Sequence, residues 1–301
     1  MARILIIANP AASSFTGASL RAVTEVLRTR FEVDTEWPTS AAGSRAAAAS
    51  AAASGYDAVA AMGGDGVAHH VANGLVHTDT ALAVIPAGTT NVLARIIGLP
   101  SKPAKAAKVI VGSKPRPVTL AHVTDGIRSD HALFALGIGY DADVVRESEK
   151  RPLAKGSIGA LHYVRSAAAV AVRDYRVKPA NLRATCDGKS VNAVSVMVQV
   201  HNPYTYFGPL ALRLTDDTSD GPAAFAAARL PIRRSVAIVS RSIANRDVGA
   251  ARGVEIWHGF QKLIVEADPE APMQADGDLL GVGDYFEITP APGALKLLLP
   301  D

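Results

Sequence analysis

The chain has 301 residues, of which 49% are hydrophobic and 20% charged, and this composition is typical of a folded protein of about two domains. The net charge of +3 is too small to indicate a nucleic-acid-binding protein, and the single cysteine, Cys186, excludes an internal disulfide and a zinc site made of thiolates. The sequence contains neither a run of ~18 apolar residues that could span a membrane nor a signal peptide, so we expect a protein of the reducing cytoplasm.

Strands and helices alternate over the first third of the chain. A buried strand is predicted at residues 3–8, and Asn9-Pro10 opens the turn after it, which runs to Ser13. A helix and a second strand follow, and Thr39 lies just after the proline that ends this strand. Residues 46–53 are almost entirely alanine and serine, and because alanine is the best helix former we interpret them as a packed helix rather than a linker.

Two apolar runs, 58–62 and 81–86, are each followed by a glycine turn and a helical pattern. The turns are Gly63-Gly64-Asp65-Gly66 and Pro86-Ala87-Gly88-Thr89. Adjacent parallel strands would place both turns at one edge of a sheet, where α/β proteins bind nucleotides, and the backbone N–H groups of a helix N-terminus suit phosphates. The chain contains no G-x-x-x-x-G-K-[ST] stretch, which excludes a P-loop enzyme, and no G-x-G-x-x-G opens the first helix, which argues against a dinucleotide redox site.

The alternation of strands and helices ends near residues 113–117, and the sequence beyond it predicts short strands separated by turns. Residues 141–173 interrupt these strands with a helical pattern that contains the break Arg151-Pro152. We therefore predict an N-terminal parallel-sheet α/β nucleotide-binding domain at 1–117 and an antiparallel β-sandwich-like domain at 118–290. The predicted strands of the second domain are 118–123, 132–136, 182–186, 194–200, 210–214, 235–239, 254–257, 262–267 and 285–289.

The two glycine turns carry a resemblance to the diacylglycerol kinase catalytic-domain family, which includes bacterial lipid kinases and the sphingosine kinases. That family has GGDGT, then NEV-x-NG, then P-x-GT-x-NDFAR; this chain has G-G-D-G-V at 63–67, H-H-V-A-N-G at 69–74 and P-A-G-T-T-N-V-L-A-R at 86–95. Three positions depart from the pattern: Val67 replaces Thr, His70 replaces Glu, and Val92 replaces Asp.

The resemblance implies that the first domain binds ATP, with the segment at 294–300 returning to it. It implies that Asp65 holds Mg²⁺ or the attacking group. The alternative is that Asp65 only caps a helix N-terminus. The expected nucleotide-binding residues are Asn9, Pro10, Ser13, Thr39, Gly63, Gly64, Asp65, Gly66, Val67, Gly88, Thr89 and Asn91.

A second carboxylate is needed to accept the proton of an alcohol. Residues 273–281 resemble the family's V-D-G-E-x-x-G segment, whose Asp is the general base, so the resemblance assigns this role to Asp276, with Asp278 in place of the Glu. Asp276-Gly277 also predicts a two-residue hairpin turn, and both interpretations can hold together.

An acidic loop at 216–221 resembles the family's D-D-G segment, which holds a structural Mg²⁺, and Asp217 and Asp220 are the candidate ligands. An acidic loop without a metal is the alternative. Residues 229–252 are the most basic region, which suits either an anionic membrane surface or an ordinary solvated face.

The function expected from these features is ATP-dependent phosphorylation of a lipid hydroxyl, with diacylglycerol as the first candidate and a sphingoid or other lipid alcohol as further candidates. ATP and Mg²⁺ are the expected cofactors. The expected partner is a lipid at a membrane surface touched peripherally, with no nucleic acid; the oligomeric state stays open, a homodimer included. The alternatives are an NAD kinase, which shares GGDG, and a non-catalytic nucleotide- or lipid-binding protein, which Val67, His70 and Val92 favour.

Overall fold

The computed structural model describes residues 1–149, 170, 175 and 179–300. The chain forms two compact units: Met1–Thr119 together with the closing residues from Pro292, and Leu120–Ala291. The predicted helical insertion begins as helix α6 (Tyr140–Glu149), and the rest of it, apart from residue 170, lies outside the described residues.

The first unit is built on a parallel sheet with the strand order β2-β1-β3-β4-β16. Strands β3 and β4 are buried along their whole length, as the unbroken apolar runs predict for a sheet covered on both faces. Lys296 and Leu297 of β16 pair with β4, so the end of the chain belongs to this sheet. The strands are β1 (Ala2–Ala8), β2 (Phe31–Glu36), β3 (Ala58–Gly63), β4 (Ala81–Pro86) and β16 (Asp278–Leu299).

Five helices in this unit follow or connect the strands. The helices are α1 (Gly17–Leu27), α2 (Ala41–Ala53), α3 (Asp65–Leu75), α4 (Val92–Ile96) and α5 (Pro103–Gly112). Helices α1 and α5 pack together, and so do α2 and α3. The alanine-rich segment is a packed helix, as predicted: Ala48 and Ala51 are buried, and a Cβ on Gly74 of α3 would overlap the carbonyl oxygen of Arg45 in α2.

The second unit consists mainly of antiparallel strands. Its central order is β14-β13-β10-β7-β15-β16, and β8 pairs with both β15 and β9. The first half of β15 pairs with β8 and its last residues pair with β7, and a register shift against β16 separates the two halves. The strands are β5 (Lys114–Thr124), β6 (Ser129–Ala132), β7 (Ala135–Gly139), β8 (Leu182–Cys186), β9 (Lys189–Ala193), β10 (Ser195–Gln199), β11 (Thr205–Phe207), β12 (Leu210–Leu212), β13 (Ala223–Ala227), β14 (Val254–His258) and β15 (Leu263–Ala275).

The predicted fold class, a parallel α/β sheet followed by antiparallel strands, is confirmed, but the strand predicted at 235–239 is wrong. These residues lie in helix α7 (Ile232–Ile243). The apolar residues Ile232, Val236, Val239 and Ile243 recur at helical spacing, which a five-residue window cannot distinguish from a strand. Among the described residues, no helix is long and apolar enough to cross a membrane.

Candidate functional site

The first glycine turn is shorter than predicted. Strand β3 ends at Gly63, Gly64 is the N-cap residue, and helix α3 begins at Asp65, so Gly66 and Val67 belong to the first helical turn. Gly63 has to lack a side chain, because a Cβ there would lie 2.5 Å from a methyl carbon of Val67. The chain therefore passes from a buried strand into a helix through one residue.

The N-terminus of α3 has no side-chain cap. Gly64 cannot provide one, and the first N–H groups of any α-helix have no acceptor within the helix. These groups carry the positive end of the helix dipole, which favours anions. This helix terminus is consequently a suitable place for a phosphate group.

The second turn is closed by its own hydrogen bonds. The backbone N–H of Gly88 contacts the carbonyl oxygen of Gly63 at 3.1 Å and the side-chain oxygen of Asn91 at 2.9 Å. The side-chain amide of Asn91 donates back to the Gly88 carbonyl at 2.7 Å. Asn91 itself has φ of 48°, a left-handed conformation that Asn tolerates better than most residues. These bonds fix the second loop against the end of β3.

The two turns touch at their glycines. A Cβ added to Gly88 would lie 2.5 Å from the Cα atom of Gly64 and 3.1 Å from its nitrogen. No side chain fits between the loops, so the two backbones pack directly against each other at this edge of the sheet.

Asp65 links the two helices that follow the turns. One oxygen of its carboxylate accepts the N–H of Val92 at 2.9 Å, and the other accepts the N–H of Leu93 at 3.0 Å. Asp65 therefore caps helix α4, whose own N-cap residue, Asn91, provides no side-chain cap. Of these two helix N-termini, α4 is capped by a carboxylate and α3 is not.

The turn after β1 joins the same cluster. The N–H of Asn9 donates to the carbonyl oxygen of Met62 at 3.0 Å, and the hydroxyl groups of Ser13 and Thr89 lie 3.1 Å apart. Pro10 is exposed in this turn. Hydrogen bonds thus bring together three separate segments of the first unit that the sequence assigned to nucleotide binding.

Thr39 lies in the loop between strand β2 and helix α2. It is exposed and lies directly before Ser40, whose side chain caps helix α2. Among the described residues, no hydrogen bond joins Thr39 to the three turns. Its place near the nucleotide stays a prediction.

Asp276 occupies the hairpin turn between β15 and β16. Ala275 pairs with Asp278 across the turn, and Asp276 has φ of 53°, so the Asp-Gly hairpin turn is present as predicted. The Asp276 side chain is buried and accepts the backbone N–H groups of Leu133, Phe134 and Ala135 at 2.8, 2.9 and 3.1 Å. The carboxylate thereby fastens the hairpin tip to the start of β7. Asp278 is partly exposed.

A buried polar network beside this turn does not follow from the sequence motifs. The side-chain amide of Gln274 donates to the Asp141 carboxylate at 2.7 Å, and its oxygen accepts the N–H of Gly277 at 2.9 Å. Tyr204 also donates to Asp141, at 2.7 Å. Burial raises the pKa of Asp141, against the lowering effect of these two donors. A polar residue inside the apolar stretch 271–275 was the available signal.

The proposed metal ligands Asp217 and Asp220 do not form a carboxylate cluster. The Asp217 carboxylate accepts the hydroxyl and the N–H of Ser219, and these bonds lower its pKa. Asp216 forms an ion pair with Arg213 at 3.5 Å. The described residues contain no group of three His, Cys, Asp or Glu side chains that could hold a metal ion. A Mg²⁺ held here by carboxylates and a backbone carbonyl stays a prediction.

Comparisons with known proteins agree with this arrangement of motifs. Residues 3–123 match the family model described as the diacylglycerol kinase catalytic domain. A diacylglycerol kinase from Mycobacterium tuberculosis is 30% identical over 257 residues, which cover 84% of this chain and 80% of that protein. A probable lipid kinase, YegS-like, from Pseudomonas putida is 34% identical over 104 residues, 34% of this chain and 35% of that protein.

Solved structures show the same fold. A diacylglycerol kinase from Bacillus anthracis superposes with a TM-score of 0.76 at 21% identity, covering 99% of this chain and 96% of that one. An NAD kinase from Archaeoglobus fulgidus in complex with ATP reaches a TM-score of 0.54 at 11% identity, covering 99% of this chain and 94% of that one. The NAD kinase is the more distant of these two neighbours.

Proposed function

Because this chain belongs to the diacylglycerol kinase catalytic-domain family and is a lipid kinase, we propose that it transfers the γ-phosphoryl group of ATP to the hydroxyl group of a diacylglycerol. The hydroxyl oxygen attacks the γ-phosphorus, the bond to the bridging oxygen of ADP breaks, and the hydroxyl proton passes to a carboxylate. Catalysis of such a transfer depends mainly on positioning and on neutralising phosphate charge.

The observation that carries this proposal is the uncapped N-terminus of α3 beside the Gly88 loop. We assign the phosphates of ATP to this position, where helix N–H groups and a side-chain-free backbone are both available. The Asp65 carboxylate oxygens accept N–H groups of α4. The neighbouring hydroxyl groups of Ser13 and Thr89 are further donors for phosphate oxygens.

We propose Asp276 as the proton acceptor, on the resemblance of its segment to the family's V-D-G-E-x-x-G. Three backbone N–H groups orient its carboxylate. Asp278, two residues on and partly exposed, is the alternative base. Gln274 supports either choice, because it bonds the Gly277 N–H inside the turn.

Mg²⁺ enters this proposal as part of the substrate, the Mg²⁺ complex of ATP. Bound to the phosphates, it neutralises their charge. The protein's part is the arrangement of backbone N–H groups and hydroxyls around α3, and no step requires a metal ion held by protein carboxylates alone.

Two other functions have specific support and are separated by the same test. The NAD kinase neighbour shares the fold, while the P-A-G-T-T-N segment at 86–91 favours a lipid kinase. A non-catalytic binding protein would fit the replacements Val67, His70 and Val92. The backbone N–H of Val92 donates a hydrogen bond to the Asp65 carboxylate, and this contact does not depend on the side chain at position 92.

The test is incubation of the purified full chain with γ-labelled ATP and, in separate samples, diacylglycerol, a sphingoid base and NAD. We expect label in diacylglycerol. Label in the sphingoid base alone would change the lipid but not the reaction, and label in NAD alone would overturn the proposal. ATP binding without any labelled product would establish the non-catalytic alternative.

A further inference from the structure

Helix α7 (Ile232–Ile243) presents an apolar face that the fold does not cover. Ile232, Val236 and Val239 are 53%, 59% and 36% exposed, and Ile243, partly exposed, continues their line. Spacings of four, three and four residues place all of them on one side of the helix. A continuous apolar stripe of this kind on a surface helix indicates an interaction surface.

A different side of the helix attaches it to the protein. Ile238 and Ser242 are the buried residues of α7, and the Ser242 hydroxyl accepts the N–H of Arg213 at 2.7 Å. These two residues lie four apart, on a face about 110° from the centre of the stripe at 100° per residue. The helix is thus held in place without using its apolar stripe.

The segment that contains α7 is strongly basic. Residues 229–252 contain six arginines, no lysine and one acidic residue, Asp247, a net charge of +5 in a chain whose total is +3, so the remainder of the chain carries −2. In the part of the chain that the structure describes, none of these six arginines forms an ion pair with a carboxylate. The arginines are Arg229, Arg233, Arg234, Arg241, Arg246 and Arg252.

We propose that α7 is the element by which this protein docks on an anionic bilayer surface. The inference rests on the proposed function, since a lipid kinase has to reach a substrate that lies in a membrane. The apolar stripe would enter the boundary between head groups and acyl chains, and the arginines would bind lipid phosphates. Each arginine near an anionic surface strengthens the attraction, so several together give substantial binding.

The charge pattern favours a membrane over a second copy of the chain. A two-fold symmetric contact places the same patch of both copies together. A contact through α7 would then bring the basic segment 229–252 of one copy close to the same segment of the other, which is unfavourable. An anionic bilayer complements both the apolar stripe and the charge.

The test compares two double variants of the same helix. Val236→Asp with Val239→Asp places charge in the stripe, while Ala237→Asp with Ser240→Asp adds the same charge at exposed positions outside it. Flotation of the full chain is measured with vesicles of mixed phosphatidylcholine and phosphatidylglycerol and with vesicles of phosphatidylcholine alone. We expect wild type to bind only the mixed vesicles, the stripe variant to bind at least about tenfold more weakly than the control variant, and the unfolding temperature to be similar in all three.

Equal weakening of both variants would overturn the role of the stripe, and binding of wild type to phosphatidylcholine alone would overturn the role of the arginines. A smaller particle size of the stripe variant in solution would identify the stripe as a contact between copies and would also overturn the proposal. Phosphorylation of a short-chain diacylglycerol in free solution separates this inference from the proposed function. If the short-chain substrate is phosphorylated but the stripe variant binds vesicles as wild type does, the docking proposal is wrong and the proposed function is unaffected. If vesicle binding behaves as expected but the short-chain substrate is not phosphorylated, the proposed function is wrong and the docking proposal is unaffected.

Discussion

Gly64 and Gly88 approach each other so closely that a single Cβ on Gly88 would lie 2.5 Å from the Cα atom of Gly64. Gly64 is the N-cap residue of helix α3, and Gly88 lies in the loop that Asn91 closes. The contact between the two glycines therefore sets the distance between the two turns. The proposed binding of ATP phosphates depends on that distance, because both turns must reach the same phosphate groups.

Gly88→Ala is expected to separate the turns, since the alanine Cβ has only backbone to press against. We expect a stability loss of about 1–3 kcal/mol and a loss of transfer activity of roughly 10²-fold, because small displacements of positioning groups are costly. Gly112→Ala is the control, since a Cβ at Gly112 in helix α5 meets nothing within 4 Å. The measurements are the free energy of unfolding in urea and the ATP affinity of both variants. If the two variants behave alike, the contact between Gly64 and Gly88 is not important for stability or for ATP binding.

Asp65→Asn is expected to weaken the cap of helix α4. An amide group can accept only one of the two N–H bonds from Val92 and Leu93, so the variant should lose about 1–2 kcal/mol of stability even without nucleotide. Asp79→Asn, which removes an exposed carboxylate paired with Lys296, should cost less. If Asp65 instead serves Mg²⁺·ATP alone, the unfolding free energy without nucleotide will not change, and raising Mg²⁺ will restore ATP binding.

Asp276→Asn tests the base and the hairpin clamp together. The amide nitrogen would face at least one buried N–H of residues 133–135, so we expect a loss of about 1–3 kcal/mol. Turnover by the folded variant should fall by roughly 10²–10⁴, with ATP affinity little changed. Asp278→Asn is the comparison: if turnover survives in the Asp276 variant and collapses in the Asp278 variant, then Asp278 is the base.

The pH dependence of stability should report on Asp141. Its pKa is raised above the ordinary value of 3.8 by burial, so the folded protein retains a proton there that the unfolded chain releases. This contribution is complete below 3.8 and is lost as the pH rises through the raised pKa. Asp141→Asn cannot titrate, so its stability relative to wild type should increase in urea unfolding as the pH is raised above about 4. The exposed Asp284→Asn is the control, and a constant difference across this range would contradict the prediction.

Much of the fold could be predicted because its signals are local. Unbroken apolar runs at 58–62 and 81–86 indicate strands covered on both faces, and the alanines at 46–53 favour a helix. The apolar residues at 235–239 predict a strand where the structure has helix α7, because this window is too short to show their helical period.

The candidate site was predictable only in part, since its contacts join residues distant in sequence. The glycine motifs indicated which residues belong to the turns, but no local pattern shows that Asp65 caps the helix beginning at Val92. The same is true of Gln274, whose side-chain amide binds both Asp141 and the N–H of Gly277 in the hairpin turn. Hydrogen bonds between residues that lie 27 and 133 positions apart in the chain decide these roles.

The most direct test of the central claim is the position of the label after reaction of the full chain with diacylglycerol. Parallel samples contain ATP labelled at the α-phosphate or at the γ-phosphate, with Gly112→Ala as a positive control and Gly88→Ala as the impaired variant. The predicted result is a labelled lipid from γ-labelled ATP only, at a rate that Gly112→Ala retains and Gly88→Ala loses. An unlabelled lipid, while the wild-type chain binds ATP, would contradict the assignment of this protein as a diacylglycerol-phosphorylating enzyme.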